Sequence, residues 1–116
     1  YPVVYRPDVA MMLNNLGALV AADSSRRDEA KKFYQEALTI RHELAQNNPA
    51  VYLPDVADTL GLIGYAYINW QQPKEAINYL KEAEEIYTIF SEQTPLVFKG
   101  KLNLTQQLLQ LASEAE

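Results

Sequence analysis

The sequence predicts an all-α protein: an α-solenoid of antiparallel helix-turn-helix repeats with a C-terminal capping helix. Three observations carry this expectation. The pattern Pro-x-x-Tyr-x-Pro-Asp-Val-Ala occurs twice, ending at Ala10 and again 47 residues later at Ala57, and a period of that length marks stacked helical units. Within each copy the apolar residues recur at helical spacing. Small residues also recur in register: Gly17 aligns with Gly64, Ala30 with Ala76 and Ala37 with Ala83.

Each element follows from local chemistry. Pro7 and Pro54 suit a first helical position, where a missing N–H costs nothing, and Asp8 and Asp55 then sit in a first turn favoured by the helix dipole. The first helices carry Val9, Leu13, Leu16 and Val20 in one copy, and Val56, Leu60, Ile63 and Tyr67 in the other. DSSRRD interrupts the first copy, with Ser25 as a candidate N-cap and Asp28 three residues on. Pro73 starts the corresponding helix of the second copy. The second helices carry Ala30, Phe33, Tyr34, Ala37, Ile40 and Leu44, then Ala76, Leu80, Ala83, Tyr87 and Phe90. NNP and TP end them, because the residue before a proline avoids helical geometry. A third echo, Pro95-Leu-Val-Phe98, leads into an amphipathic helix over 99–115 with Leu104, Leu108, Leu111 and Ala115 in one row.

The small residues predict close helix approach. A glycine inside a helix costs roughly 1 kcal/mol relative to alanine, and tight packing at Gly17 and Gly64 is the compensation. Tyr5, Tyr52 and Phe98 share one position and are expected to pack between successive units. Trp70, at a turn, either covers a helix end or forms an exposed contact.

At 116 residues with 48% hydrophobic and 22% charged residues, the chain has the composition of an ordinary folded domain. Without cysteine it forms no disulfide and no thiolate metal site. Its net charge of −5 repels phosphate backbones at long range, so nucleic acid is not an expected partner. No apolar run approaches the ~20 residues that span a bilayer, so no membrane role is expected. The chain does not begin with Met and reads as a piece of a longer protein, from which a targeting segment could be missing; the expected compartment is the cytoplasm. His42, the sole imidazole, reads as a surface residue near a helix end. No nucleophile–base pair, phosphate loop or metal-ligand cluster stands out. The expectation is a non-enzyme with no cofactor, no metal and no catalytic residue.

The order large-x-x-Leu/Ile-Gly-x-x-large followed by Ala-x-x-x-large-x-x-Ala resembles the tetratricopeptide repeat. More narrowly, PDVAMMLNNLG and DEAKKFYQEALTIRHELAQNNPAVYLPDVA resemble the longer repeats of the kinesin light chain type. The chain departs from that pattern at the insertion near Ser24, at Gln71 where the turn usually has glycine, and in the third helix. The resemblance implies residues 1–6 as linker from a preceding repeat, 7–48 as repeat 1, 49–94 as linker plus repeat 2, and 95–116 as linker plus capping helix. It also implies a concave groove, lined by first helices, that binds an extended peptide or a partner helix. The implied groove positions are Met11, Asn14, Ala18 and Ala21 in the first copy. In the second copy they are Asp58, Gly61, Tyr65, Ile68 and Asn69. Asn14 offers both a donor and an acceptor to a peptide backbone, with a helix-to-helix hydrogen bond as its other reading. Lacking Lys and Arg, and carrying Asp58, this face suits an apolar or mildly basic segment rather than an acidic tail. Two functions stay open: a protein-interaction module within a larger scaffold or regulator, and a structural array segment with an empty groove. In either case the N-terminal repeat face, with Met12 and Leu19, is expected to self-associate weakly.

Overall fold

The computed structural model describes residues 6–115. It contains five α-helices: α1 (Arg6–Ala21), α2 (Arg27–Asn47), α3 (Pro49–Asn69), α4 (Pro73–Gln93) and α5 (Pro95–Glu114). A 3-10 turn at Ser24–Arg26 precedes α2, and no strand occurs among the described residues. The positions Tyr5 and Pro2 of the first linker lie outside the described residues. The chain divides within α3 into two compact units, one running to Thr59 and the other from Leu60.

Two of the connections are a single residue long. The Asn48 N–H donates to the Leu44 carbonyl, closing α2, while the Asn48 carbonyl accepts from Val51 and Tyr52 and opens α3. Thr94 repeats this, donating to Phe90 and accepting from Val97 and Phe98. Each residue precedes a proline and is extended (φ −146°, ψ 76° at Asn48; φ −138°, ψ 70° at Thr94), as the proline ring requires. The third and fifth helices therefore begin earlier than the sequence suggests, at Pro49 and Pro95. Pro54 lies inside α3 rather than at its start. It is tolerated there because the carbonyl it leaves unpaired belongs to Ala50, an exposed residue of the first turn.

The α1–α2 connection also differs from expectation. Asp23, not Ser25, is the capping side chain: its Oδ1 accepts from the Ser25 N–H at 3.0 Å and the Ser25 hydroxyl at 2.7 Å. Those bonds hold the Asp23 carboxyl below its usual range. Helix α2 then starts at Arg27 with no side-chain cap. The α3–α4 turn closes with Gln72 N–H donating to Tyr67 and Gln71 N–H to Ile68, the paired bonds of a Schellman motif. Gln71 takes the left-handed position at φ 62°.

In the first unit α1 packs on α2, burying Ala10, Leu13 and Val20 with Ala30, Tyr34, Ala37 and Leu38. A β-carbon on Gly17 would lie 2.7 Å from the Tyr34 ring. In the second unit a β-carbon on Gly64 would lie 2.5 Å from Leu80 Cγ. Both glycines are thus positions of close helix approach. Trp70 is buried at the α3 end, edge-on to Tyr67 at 5.4 Å, which settles its two readings for the helix-end cover. Helix α5 packs on α4 through Ala112, with Leu108 and Leu109 against the Ala76–Leu80 cluster.

Of the expected α5 row only Leu108 packs against the core. Thr105 and Ala112 are buried, while Leu104 and Leu111 are more than half exposed. Extending the Pro49/Pro95 alignment along α5 explains this. Thr105 and Ala112 fall where Thr59 and Ala66 fall in α3, and all four are buried. Gln106, Gln110 and Ser113 stand where Leu60, Gly64 and Tyr67 stand. The α3 face that receives α4 is therefore polar in α5, as suits a helix with no second helix of its own.

Candidate partner-binding surface

The implied groove positions separate into three groups by what each side chain touches. Met11 (51% exposed) and Ala18 lie open on α1, and Tyr65 (52%) and Asn69 lie open on α3. Gly61 faces open space, since a β-carbon there would meet nothing within 4 Å. Ala21, Asp58 and Ile68 are half-buried, and Ile68 packs against the Ala76–Leu80–Ala112 cluster.

Asn14 stands apart at 6% exposed. Its Oδ1 accepts from the Thr59 hydroxyl at 3.2 Å. The Thr59 oxygen in turn accepts from Arg41 Nη1 at 3.0 Å, and the same nitrogen donates to the Asp55 carbonyl at 3.1 Å. Thr59 and Arg41 are buried as well, so α1, α2 and α3 are tied by one polar chain inside the first unit. The helix-to-helix hydrogen bond considered for Asn14 is therefore present. Sequence reasoning missed both partners. The available signal was an arginine inside an otherwise apolar second-helix row, since buried charges need hydrogen-bonding partners.

Leu104 and Leu111 are a second omission. In the repeat register Leu104 corresponds to Met11 and Asp58, and Leu111 to Ala18 and Tyr65. Both are exposed, and the Pro95–Phe98 echo carried further would have found them. On α1, Met12 (half exposed) and Leu19 (73%) present a separate apolar face.

Elsewhere the surface offers little convergent chemistry. An open depression of about 430 Å³ runs along α2, lined by Lys32, Gln35, Glu36, Thr39 and Ile40, all from one helix face. His42 is exposed. Among the described residues no group of three or more His, Asp or Glu is placed to hold a metal, and no helix is long and apolar enough to cross a membrane. Charge pairs are superficial: Arg6 meets Glu43 at 2.9 Å and Arg26 meets Glu29 at 2.7 Å.

Residues 8–89 match the family described as Tetratricopeptide repeat. No curated protein and no solved structure matches the chain.

Proposed function

Because the chain belongs to the tetratricopeptide repeat family, whose repeats serve as protein–protein interaction modules, we propose that it binds an extended peptide or partner helix through the exposed first-helix register. The single observation carrying this reading is Tyr65, a large aromatic left half exposed on a helix whose neighbours Ile63, Gly64 and Ala66 are buried. One turn before it on the same helix, Gly61 faces open space, and an exposed aromatic with room beside it is a natural anchor position. Leu111 stands at the Tyr65 register position on α5, and Met11 and Leu104 share the register position of Asp58. Methionine, tyrosine and leucine with small residues between them favour an apolar or mildly basic segment. The likeness to kinesin light chain repeats belongs to this same reading, as does a place within a larger scaffold or regulator.

The test uses random peptides displayed on phage and selected against the chain. Tyr65→Ala should weaken the selected binders by thirtyfold or more, corresponding to an anchor of about 2 kcal/mol, and leave the melting midpoint in place. Leu111→Ala should weaken them less. If Tyr65→Ala binds as well as the parent, the surface is not the binding face.

A second reading has its own observation. Leu19 and Met12 present an apolar face on α1, which suits an array segment that associates with another copy or neighbouring repeat. Sedimentation of Leu19→Lys beside the parent decides it. Weak self-association lost in the variant supports this reading, and a parent that stays monomeric at high concentration rejects it.

A further inference from the structure

We propose that α5 carries a self-complementary seam, and that the partner it fits is the same helix of a second copy of this chain, laid antiparallel. The inference goes beyond the peptide-binding reading and needs neither Tyr65 nor Met11.

The seam is the row Val97, Lys101, Leu104, Leu108, Leu111 and Ala115. Its steps alternate between four and three residues, the spacing that keeps side chains on one stripe where two helices run side by side. The buried positions of α5, Thr105 and Ala112, lie on the adjoining row. On the seam itself Val97, Leu104 and Leu111 are each more than half exposed and Ala115 is exposed. Leu108 is half-buried at the edge of the Ala76–Leu80–Ala112 cluster. The other flank of the helix, with Gln106, Gln110 and Ser113, is polar. Thus α5 is apolar beyond what its contact within the chain requires, and on one flank only.

Charge selects the orientation. The charged residues of α5 are Lys99 and Lys101 near its start and Glu114 at its end. Laid parallel, two copies would set lysine against lysine and glutamate against glutamate. Laid antiparallel, they bring each Lys101 toward the Glu114 of the other copy. Both side chains are exposed. The Lys101 ammonium lies 5.9 Å from the Phe98 ring centre, and Glu114 Oε1 accepts from Gln110 at 3.1 Å.

The row also fixes the register. Setting Leu104 of one copy against Leu108 of the other sets Val97 against Ala115 and Lys101 against Leu111. The aliphatic stem of Lys101 then covers Leu111, and its ammonium reaches on to Glu114 in the next turn. Two-fold symmetry makes every contact twice and closes the assembly at a dimer. One helix from each copy makes a small interface, so the association is weak. Leu111 also stands in the register proposed for peptide binding, so a bound segment that reaches α5 and a second copy exclude one another.

Sedimentation equilibrium of the whole chain, up to high concentration, tests the seam. The parent should show a reversible monomer–dimer equilibrium, and Leu19→Lys, which alters the separate apolar face of α1, should still dimerise. Leu104→Glu should weaken the dimer by more than about thirtyfold, because it removes apolar contact at two symmetric places and buries a charge there. Lys101→Glu or Glu114→Lys alone should weaken it by about five- to tenfold, by setting like charges together at both ends. The two exchanged together should return it to within about twofold of the parent. The proposal is overturned if the parent stays monomeric, if Leu19→Lys abolishes the association, if Leu104→Glu dimerises like the parent, or if the double exchange is no better than either single one. Should Leu104→Glu fail to fold, the exchange at the exposed Lys101 and Glu114 decides by itself. Tyr65→Ala should dimerise like the parent, so failure of the peptide-binding surface and failure of this seam are separately visible.

Discussion

The same junction is built in two different ways in the two units. In the first, α1, α2 and α3 meet at Asn14, Arg41 and Thr59, a buried polar chain. In the second, the corresponding positions are Gly61, Tyr87 and Thr105. There Tyr87 is buried and stacks on Phe98 with ring centroids 6.4 Å apart, Phe90 meets Phe98 edge-on at 5.6 Å, and Thr105 turns back to the Lys101 carbonyl of its own helix. The repeat fixes where a large side chain must stand; it does not fix whether that side chain is charged or aromatic. Aromatic rings supply burial, which is non-directional. The polar chain supplies direction, since each hydrogen bond has a donor and an acceptor end, and its net contribution to stability is smaller.

The largest expected effect tests that difference directly. Tyr87→Ala should destabilise the protein by about 3–5 kcal/mol, the usual cost of removing a large buried aromatic. Arg41→Met keeps much of the volume and should cost only about 1–3 kcal/mol, from the two hydrogen bonds lost at the Thr59 and Asp55 oxygens. Urea unfolding of both variants measures the gap. Equal losses would mean that the polar junction is as much a stabilising device as the aromatic one.

Next come the glycines, where the two units should behave alike. Gly17→Ala and Gly64→Ala each gain roughly 1 kcal/mol of helix propensity but overpack a rigid neighbour at about 1–3 kcal/mol. Both should lower the melting midpoint, because a β-carbon would meet the buried Tyr34 ring or the branch point of the fully buried Leu80. Gly61→Ala and Gly100→Ala meet nothing within 4 Å and should raise it, by up to about 1 kcal/mol in stability. Stabilisation at Gly64 would show that the α3–α4 contact is looser than these distances indicate.

The turns differ as well. Gln71 sits at φ 62° in the α3–α4 turn, a region costing about 1–2 kcal/mol for a residue with a β-carbon. Gln71→Gly should recover up to about 1 kcal/mol, offset in part by the greater freedom of glycine in the unfolded chain. The α1–α2 turn, built on the Asp23 cap, has no such reserve. Asp23→Ala should lower the melting midpoint at neutral pH. Because the folded carboxyl is held below its usual range, the cap's contribution is present above the unfolded pKa and fades as pH falls through the folded one.

The smallest effect appears only in alkali. Burial pushes the Tyr34 phenol up to about 12, so folding favours its neutral form. Its contribution is intact below the ordinary value of 10 and is lost as pH rises from there toward 12. Tyr34→Phe should change little at neutral pH and flatten the loss of stability above pH 10. An unchanged alkaline profile would place the ring in a wetter setting than its 3% exposure implies.

How much of this was legible follows from what kind of information each feature needs. The repeat register is written in one dimension: Gly17 with Gly64, Ala30 with Ala76 and Ala37 with Ala83 announce a helix pair and its close contact before any coordinates exist. The exposed positions Met11, Ala18, Tyr65 and Asn69 came from the resemblance to tetratricopeptide repeats. The helix starts were misplaced because Pro54 reads locally as a first helical residue, whereas Asn48 and Thr94 each close one helix and open the next, letting α3 and α5 begin a turn sooner. The apolar row named for α5 packs only in part, through Leu108, because the apolar residues of this helix occupy two adjacent rows and hydropathy alone does not say which of them meets α4.

The sequence by itself determined that this chain is an all-helical repeat, because a period of this length with small residues in register admits few other packings. Only the tertiary structure decided that Asn14 faces inward with Thr59 and Arg41 behind it, and that Leu104 and Leu111 stay outside. Those outcomes depend on which side chains from three separate helices arrive at one place, and a linear spacing rule contains no term for residues 18 or 45 positions apart.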